Sequence, residues 1–317
     1  MADLKHLSVI HVAGTKGKGG TCAFIDSILR EYRLKTCYPA KVGLYTSPHM
    51  KHVRERIQIN SEPISEECFA RYFFESWDKI APGDKLDPND RPGYFRFLTL
   101  MSYDIFLKEK VTVAIYEAGV GGENDATNVI ETPVVTGITG LGIDHEKTLR
   151  VPRQIRPTYF ALEAKDGQED GATIEEIAWH KSGIFKPGCP AFSILQQSHA
   201  TNILRRRAEE KGVSLTFVKS HSELLDIKFP VGIQRKNAAL AVAMANSFLN
   251  RDAEIKCVDN SRISEEVLRG LGNASLPGRC QLLKEGPCEW YVDGAHTEDS
   301  LIVAGRWYAE NVKRWSY

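Results

Sequence analysis

The residues best equipped for chemistry lie near the start of the chain, in Gly14-Thr15-Lys16-Gly17-Lys18-Gly19-Gly20-Thr21. An apolar run at 7-13 leads in, and a helix-like segment at 22-29 leads out. Strand, glycine-rich turn and helix form the layout of a phosphate cradle. Glycines let backbone N–H groups approach anionic oxygens, and the helix N-terminus adds partial positive charge. Lys18 would bring a point charge to the β- and γ-phosphates. The pattern departs from G-x-x-x-x-G-K-[ST], because Val12 stands where the first glycine would be and Gly19 where the hydroxyl would be. The competing reading is a Gly/Lys turn on an ordinary α/β domain; the flanking strand and helix favour a nucleoside triphosphate.

Further candidates follow other apolar runs. Residues 41-46 lead to Ser47-Pro48-His49, which reads as a turn with a cap or as a hydroxyl brought to a site. Residues 111-116 deliver Glu117 and the glycines 119, 121 and 122. An acidic residue there is either a Mg2+ ligand, since hard cations take oxygen, or a plain strand-end carboxylate. The run at 134-138 leads to Asp144-His145, where the imidazole is a metal ligand, a general base or a partner of Asp144. Lys181 sits in the apolar stretch 177-185 and needs a partner or an altered charge, unless it snorkels to solvent. Residues 289-292 deliver Asp293 and then His296, a carboxylate and imidazole pair or a simple turn.

Such residues need a scaffold that gathers strand ends. Strand-like runs at 7-13, 41-46, 111-116, 134-138 and 191-195 alternate with helical patterns at 22-29, 94-108, 202-211 and 237-248. That alternation predicts an α/β fold, a mostly parallel sheet with helices on both faces. Ligands on such sheets bind beyond the carboxyl ends of the strands. Residues 150-172 are polar, contain Pro152 and Pro157, and lack periodicity, which is unusual for a connection in a compact domain. Turn residues at 273-279 mark a boundary, after which 289-292 begins a new strand.

At 317 residues the chain suits one large domain or two smaller ones. Its formal net charge of zero argues against nucleic acid or an anionic membrane as the main partner. The cluster Arg205-Arg206-Arg207 reads as a solvated helix face. Seven scattered cysteines without metal-type spacing fit a reducing compartment. No run is long enough for a membrane span, and no leader pattern precedes the first strand.

Taken together, residues 11-24, 46-60, 94-101, 117-122, 140-145, 176-186, 237-239, 276-279 and 291-297 resemble the eukaryotic folylpolyglutamate synthases of the Mur ligase superfamily. The resemblance implies a P-loop-type, mostly parallel sheet over 1-272 (the Mur ligase central domain). Residues 273-317 would then be a linker and the start of a truncated Rossmann-like C-terminal domain. It implies ATP, Mg2+ and a monovalent cation such as K+ as cofactors, with a reduced folate and L-glutamate as small-molecule substrates. The reaction would phosphorylate a folate γ-carboxylate and join glutamate to it through an acyl phosphate.

By the same resemblance, Gly14, Thr15, Lys16, Gly17, Lys18, Gly19, Gly20, Thr21, Asn237, Arg279 and Asp293 bind the nucleotide. Ser47, Glu117 and His145 hold the metal, and Lys18, Lys181 and His296 are catalytic, with Lys181 carbamylated. A monomer in the cytoplasm is expected, with a mitochondrial form allowed. Three departures stand out. Gly20 occupies a family serine position; residues 150-172 interrupt a family motif between Leu149 and Thr173; both ends are short. Dihydrofolate synthase and a catalytically inactive nucleotide-binding remnant are the alternatives.

Overall fold

The structure is a computed structural model and describes residues 4, 6-80, 91-142, 173-219, 224, 227, 229-251, 263-296 and 298-312. The apolar run after residue 7 forms β1 (Ser8–Ala13) at the centre of an eight-stranded sheet. It pairs in parallel with β5 (Val113–Glu117) on one side and β6 (Val135–Ile138) on the other, with Ile10 facing Ile115 and Val135. A strand covered on both faces reads as a continuous apolar run rather than an alternating one. That describes β1, where every residue after Ser8 is buried.

The sheet order is β4-β3-β2-β5-β1-β6-β7-β8. Here β2 is Val42–Tyr45, β3 Ile57–Ile59, β4 Glu62–Pro63, β7 Ala191–Ile194 and β8 Leu215–Val218. Strands β2, β5, β1, β6, β7 and β8 run parallel, and β3 and β4 add an antiparallel edge. Because β5 and β6 flank β1, the loops leaving these three strands part at one switch point, where α/β sheets place their crevice.

Helix α1 (Lys18–Thr36) covers one face with Phe24, Ile25, Ile28 and Leu29. It packs with α6 (Gly232–Leu249) and α7 (Glu265–Gly272), whose Leu240, Met244 and Val267 join the same core. The other face takes α3 (Tyr94–Lys108), with Phe97, Met101 and Phe106 against Tyr45 and Tyr116. Helix α2 (Glu66–Ile80) packs outside α3. Helices α4 (Ile174–Lys181) and α5 (Ser198–Glu210) close the β7 end around Phe185 and Leu204. Each such fully buried side chain contributes about 1.5–3 kcal/mol. Helix α4 begins in a capping box: Glu176 N donates to Thr173 Oγ1, and Thr173 N to the Glu176 carboxylate, both at 3.2 Å.

One expectation needs correcting. Arg207 does not lie on a solvated face: it is 8% exposed, whereas Arg205 and Arg206 are exposed as expected. The helical period decides this, since Arg207 falls on the stripe of Ile203, Leu204 and Ala208. The strand expected at 289-292 is β10 (Cys288–Val292). It pairs antiparallel with β9 (Gln281–Glu285) in a separate ribbon followed by α8 (Glu298–Val312).

Candidate active site

The glycine-rich turn is built by backbone geometry. Gly14 and Gly17 adopt φ 151° and 95°, and a Cβ on Gly17 would stand 2.5 Å from Asn237 Oδ1. Only glycine tolerates both demands. The turn is tied to the loop after β6: Thr15 N and Lys16 N donate to Gly140 O at 2.9 and 3.1 Å, and Thr15 Oγ1 to Gly142 O at 3.0 Å. Lys18 folds back so that Nζ donates to Gly14 O at 3.1 Å.

Glu117 ends β5 directly across from this turn and is buried. Its carboxylate accepts from Ser47 N at 2.9 Å, and Gly19 N also donates to it. Burial is the main influence and raises its pKa; Lys18, the Ser47 and Gly19 amides and Arg279 oppose the rise. A carboxylate desolvated in this way is suited to a hard cation. Among the described residues, no three His, Cys, Asp or Glu side chains converge on a common metal position. His145 lies outside the described residues, as do 143-172 in full.

Arg279 and Asp293 come from the linker and the end of β10. Gly294 packs so closely on Arg279 that a Cβ there would lie 2.1 Å from the guanidinium. Asp293 braces the segment, accepting from Cys280 N at 2.6 Å and Ala295 N at 2.8 Å. Burial and the Asp293 carboxylate push the Cys280 thiol up to about 12, so it stays neutral. His296 is exposed, its Nδ1 2.8 Å from Gly294 O.

One cleft of about 1090 Å3 brings Thr15, Lys16, Gly17, Lys18, Gly19 and Gly20 together with Ser47, Glu117, Asn237, Arg279, Asp293 and His296. Three expected residues stand behind its wall. Gly14 and Lys181 are joined there, Lys181 Nζ donating to Gly14 O at 2.8 Å, with Lys181 only 3% exposed. Thr21 is fully buried, and its Oγ1 has no partner among the described residues. Asn237 Oδ1 is likewise buried and unpartnered beside the turn, a polar atom that a ligand group could satisfy.

Sequence reasoning assigned no role to several wall residues. Tyr94, Phe95 and Arg96 also line the cleft, and Phe95 covers Gly119 so tightly that a Cβ would meet its ring at 2.5 Å. Asp125 orders the glycine loop by accepting from Val120 N at 2.8 Å and Thr127 N at 2.9 Å. The cap pattern Asp125-Ala126-Thr127 was the available signal for it. Beneath this loop His11 Nε2 lies 2.8 Å from Thr127 Oγ1. Burial and the nearby Lys186 charge lower the His11 pKa to about 3, so it is neutral there.

No protein-family model matches the chain. It is 48% identical over 315 residues to the folylpolyglutamate synthase of Neurospora crassa, covering 97% of this chain and 56% of that protein. It is 45% identical over 326 residues to the Saccharomyces cerevisiae enzyme, covering 98% and 55%. The chain is a homologue of folylpolyglutamate synthase. A solved FPGS–AMPPCP–folate complex shares the fold, with a TM-score of 0.72 and 25% identity over 98% of this chain and 74% of that one. The folylpolyglutamate synthase resemblance and the parallel α/β fold expected from the sequence therefore both hold. The chain spans about half the length of the curated folylpolyglutamate synthases it matches.

Proposed function

We propose that this chain carries the ATP-handling part of a folate γ-glutamyl ligase. ATP lies over the glycine-rich turn with its terminal phosphates beside Lys18. The γ-carboxylate of a tetrahydrofolate (poly)glutamate takes the γ-phosphoryl group, leaving ADP and an acyl phosphate. The amine of L-glutamate then attacks the acyl carbon, an amide forms and phosphate leaves. Negative charge concentrates in both steps, so Lys18 and Arg279 act by electrostatic stabilisation and positioning. Asn237 and Asp293 hold the nucleotide, and His296 borders the reacting end.

The observation that carries this reading is the buried Glu117 carboxylate, held between Ser47 N and Gly19 N within the influence of Lys18 and Arg279. Glu117 and Ser47, with His145, would hold Mg2+, and a monovalent cation such as K+ would sit nearby. When bound, Mg2+ would offset charge on the phosphate oxygens. A carbamate on Lys181 would replace its ammonium by anionic oxygens beside the turn. The AMPPCP and folate of the related complex support ATP and folate as ligands.

Residues 1-272 form the ATP-binding domain in this reading, and 273-317 the linker and first part of a second. The separate β9–β10 ribbon supports that division. We place the protein as a monomer in the cytoplasm, with a mitochondrial form. The six described cysteines are free thiols, as a reducing compartment requires. Among the described residues no helix is long and apolar enough to cross a membrane.

The test incubates the protein with ATP, Mg2+, L-glutamate and tetrahydrofolate and follows product by mass. Stepwise addition of glutamyl units is expected. Product with dihydropteroate alone would mark a dihydrofolate synthase. Bound ATP without product on either acceptor would mark the nucleotide-binding remnant, a reading that the missing hydroxyl at Gly20 favours.

A further inference from the structure

Behind the cleft wall lies a charged cluster that the proposed chemistry does not use. Glu123 stands in the loop leaving β5. Its backbone N–H donates to His180 O at 2.7 Å, and its Oε2 accepts from Arg207 Nη2 at 2.6 Å and Lys211 Nζ at 3.3 Å. Arg207 also binds Glu210 at 3.1 Å and lies over the Trp179 ring, 4.5 Å from its centroid. Lys211 Nζ donates to Gly183 O at 3.0 Å. Asn128 Nδ2 bridges Glu123 O and Gly183 O at 3.1 and 3.3 Å, and Lys186 Nζ reaches Asn128 O at 3.4 Å.

Two features make this a clamp rather than a surface ion pair. The backbones meet without room for side chains: a Cβ on Gly122 would lie 2.6 Å from His180 O, and one on Gly183 2.2 Å from Glu123 Cα. One carboxylate also faces two partly buried cations, Arg207 and Lys211, whose side chains are 9% and 20% exposed. Removing it leaves like charges together in a poorly solvated place, a more damaging change than losing an exposed pair. The held segment matters for the site, because the residue after His180 is Lys181, whose amine grips Gly14 O.

We propose that Glu123 is a positioning residue that, with Arg207 and Lys211, clamps the β5 loop to α4 and so holds the Lys181 amine against the glycine-rich turn. Contacts run from α5 through Glu123 to His180 and Lys181, and from there to Gly14. The proposal rests on the ligase reading only where nucleotide affinity is the readout.

The experiment compares wild type with Glu123→Gln, Arg207→Met and Arg207→Lys, with Glu209→Gln as an exposed control on the same helix. Acetylation of Lys181 by an amine-reactive ester, in buffer freed of carbon dioxide and bicarbonate so that Lys181 is an uncarbamylated amine, is timed by peptide mass spectrometry, and AMPPCP affinity is measured by calorimetry. Both are done at a temperature where circular dichroism shows every variant folded. Glu123→Gln and Arg207→Met should label Lys181 at least threefold faster and bind AMPPCP several-fold more weakly. Arg207→Lys should restore most of both, and Glu209→Gln should match wild type. Unchanged Lys181 labelling in Glu123→Gln and Arg207→Met would overturn the proposal. Failure of wild type to bind AMPPCP would overturn the ligase reading, leaving the labelling comparison to decide the clamp by itself.

Discussion

Two glycine-rich loops leave neighbouring parallel strands on the same side of the sheet, one after β1 and one after β5, and they use glycine for different purposes. The turn after β1 needs glycine for backbone conformation and for the approach of Asn237, and its other groups stay available to a ligand. The loop after β5 has one left-handed position, Gly121 at φ 76°, and otherwise needs glycine for packing. Gly119 lies under Phe95 and Gly122 against the His180 and Lys181 carbonyls, while Glu123 and Asp125 tie the loop down through their side chains. Glu117 joins the two, since it opens the second loop and accepts from Gly19 in the first. Similar composition therefore yields a receptive cradle in one place and a braced wall in the other.

The contrast breaks most directly at Lys18. If the first loop is the cradle, Lys18→Met should lower turnover of ATP about 100-fold or more, the scale of losing a transition-state charge partner. Single-turnover ADP release checks it, and a loss below tenfold would count against the assignment.

Glu117→Gln tests the junction. Nucleotide binding should need at least about tenfold more Mg2+, a loss typical even of groups that only support a metal site. The ligand-free protein should respond in the opposite sense. Burial raises the Glu117 pKa in the folded state, so the native protein holds this proton more tightly than the unfolded chain. Stability then falls as pH rises from the unfolded glutamate value through the folded one. Glu117→Gln should raise the melting temperature at pH 8 by a few degrees, with the gain shrinking as pH falls toward 4. An equal shift at both pH values would remove the explanation.

Gly17→Ala and Gly122→Ala sharpen the comparison as a pair. Crowding of this kind costs about 1–3 kcal/mol, but only one of the two should also reach the ligand. Gly122→Ala should lower the melting temperature, because it pushes on carbonyls of the braced wall. Gly17→Ala should lower it as well, through its left-handed backbone, and should in addition weaken AMPPCP binding, because it displaces Asn237 in the receptive turn. Thermal melts and titrations on both variants would reveal an interchange.

The smallest effect belongs to Gly20→Ser. A Cβ there meets nothing closer than Asn237 Nδ2 at 3.8 Å, so the substitution should fold normally. It should tighten ATP binding by roughly the worth of one hydrogen bond, about 0.5–1.5 kcal/mol. Unchanged affinity by calorimetry would show that the missing hydroxyl is immaterial.

Local pattern was enough for the elements that carry these loops. The apolar runs became β1, β2, β5, β6 and β7, and the helix expected at 94-108 is α3 with the same limits. Strand β8 escaped notice because its residues are only partly buried or exposed and carry a weak apolar signal. The two-residue strand β4 has no period to detect.

The residue types at the strand ends, Lys18, Ser47 and Glu117, were legible as candidates because a parallel sheet sends every such end toward one edge, whereas Asp293 follows β10 of the separate ribbon. Distances across the site were not legible. Nothing near Lys181 in the chain shows that its amine meets Gly14 O, or that Glu123 answers Arg207 and Lys211. Those contacts join segments far apart in sequence, and their existence depends on how helices pack over the sheet. The sequence by itself determined which groups could handle phosphate and that a parallel sheet would gather them. Only the tertiary structure decided which groups face the cleft and which stand behind it, because facing is set by packing and burial rather than by residue type.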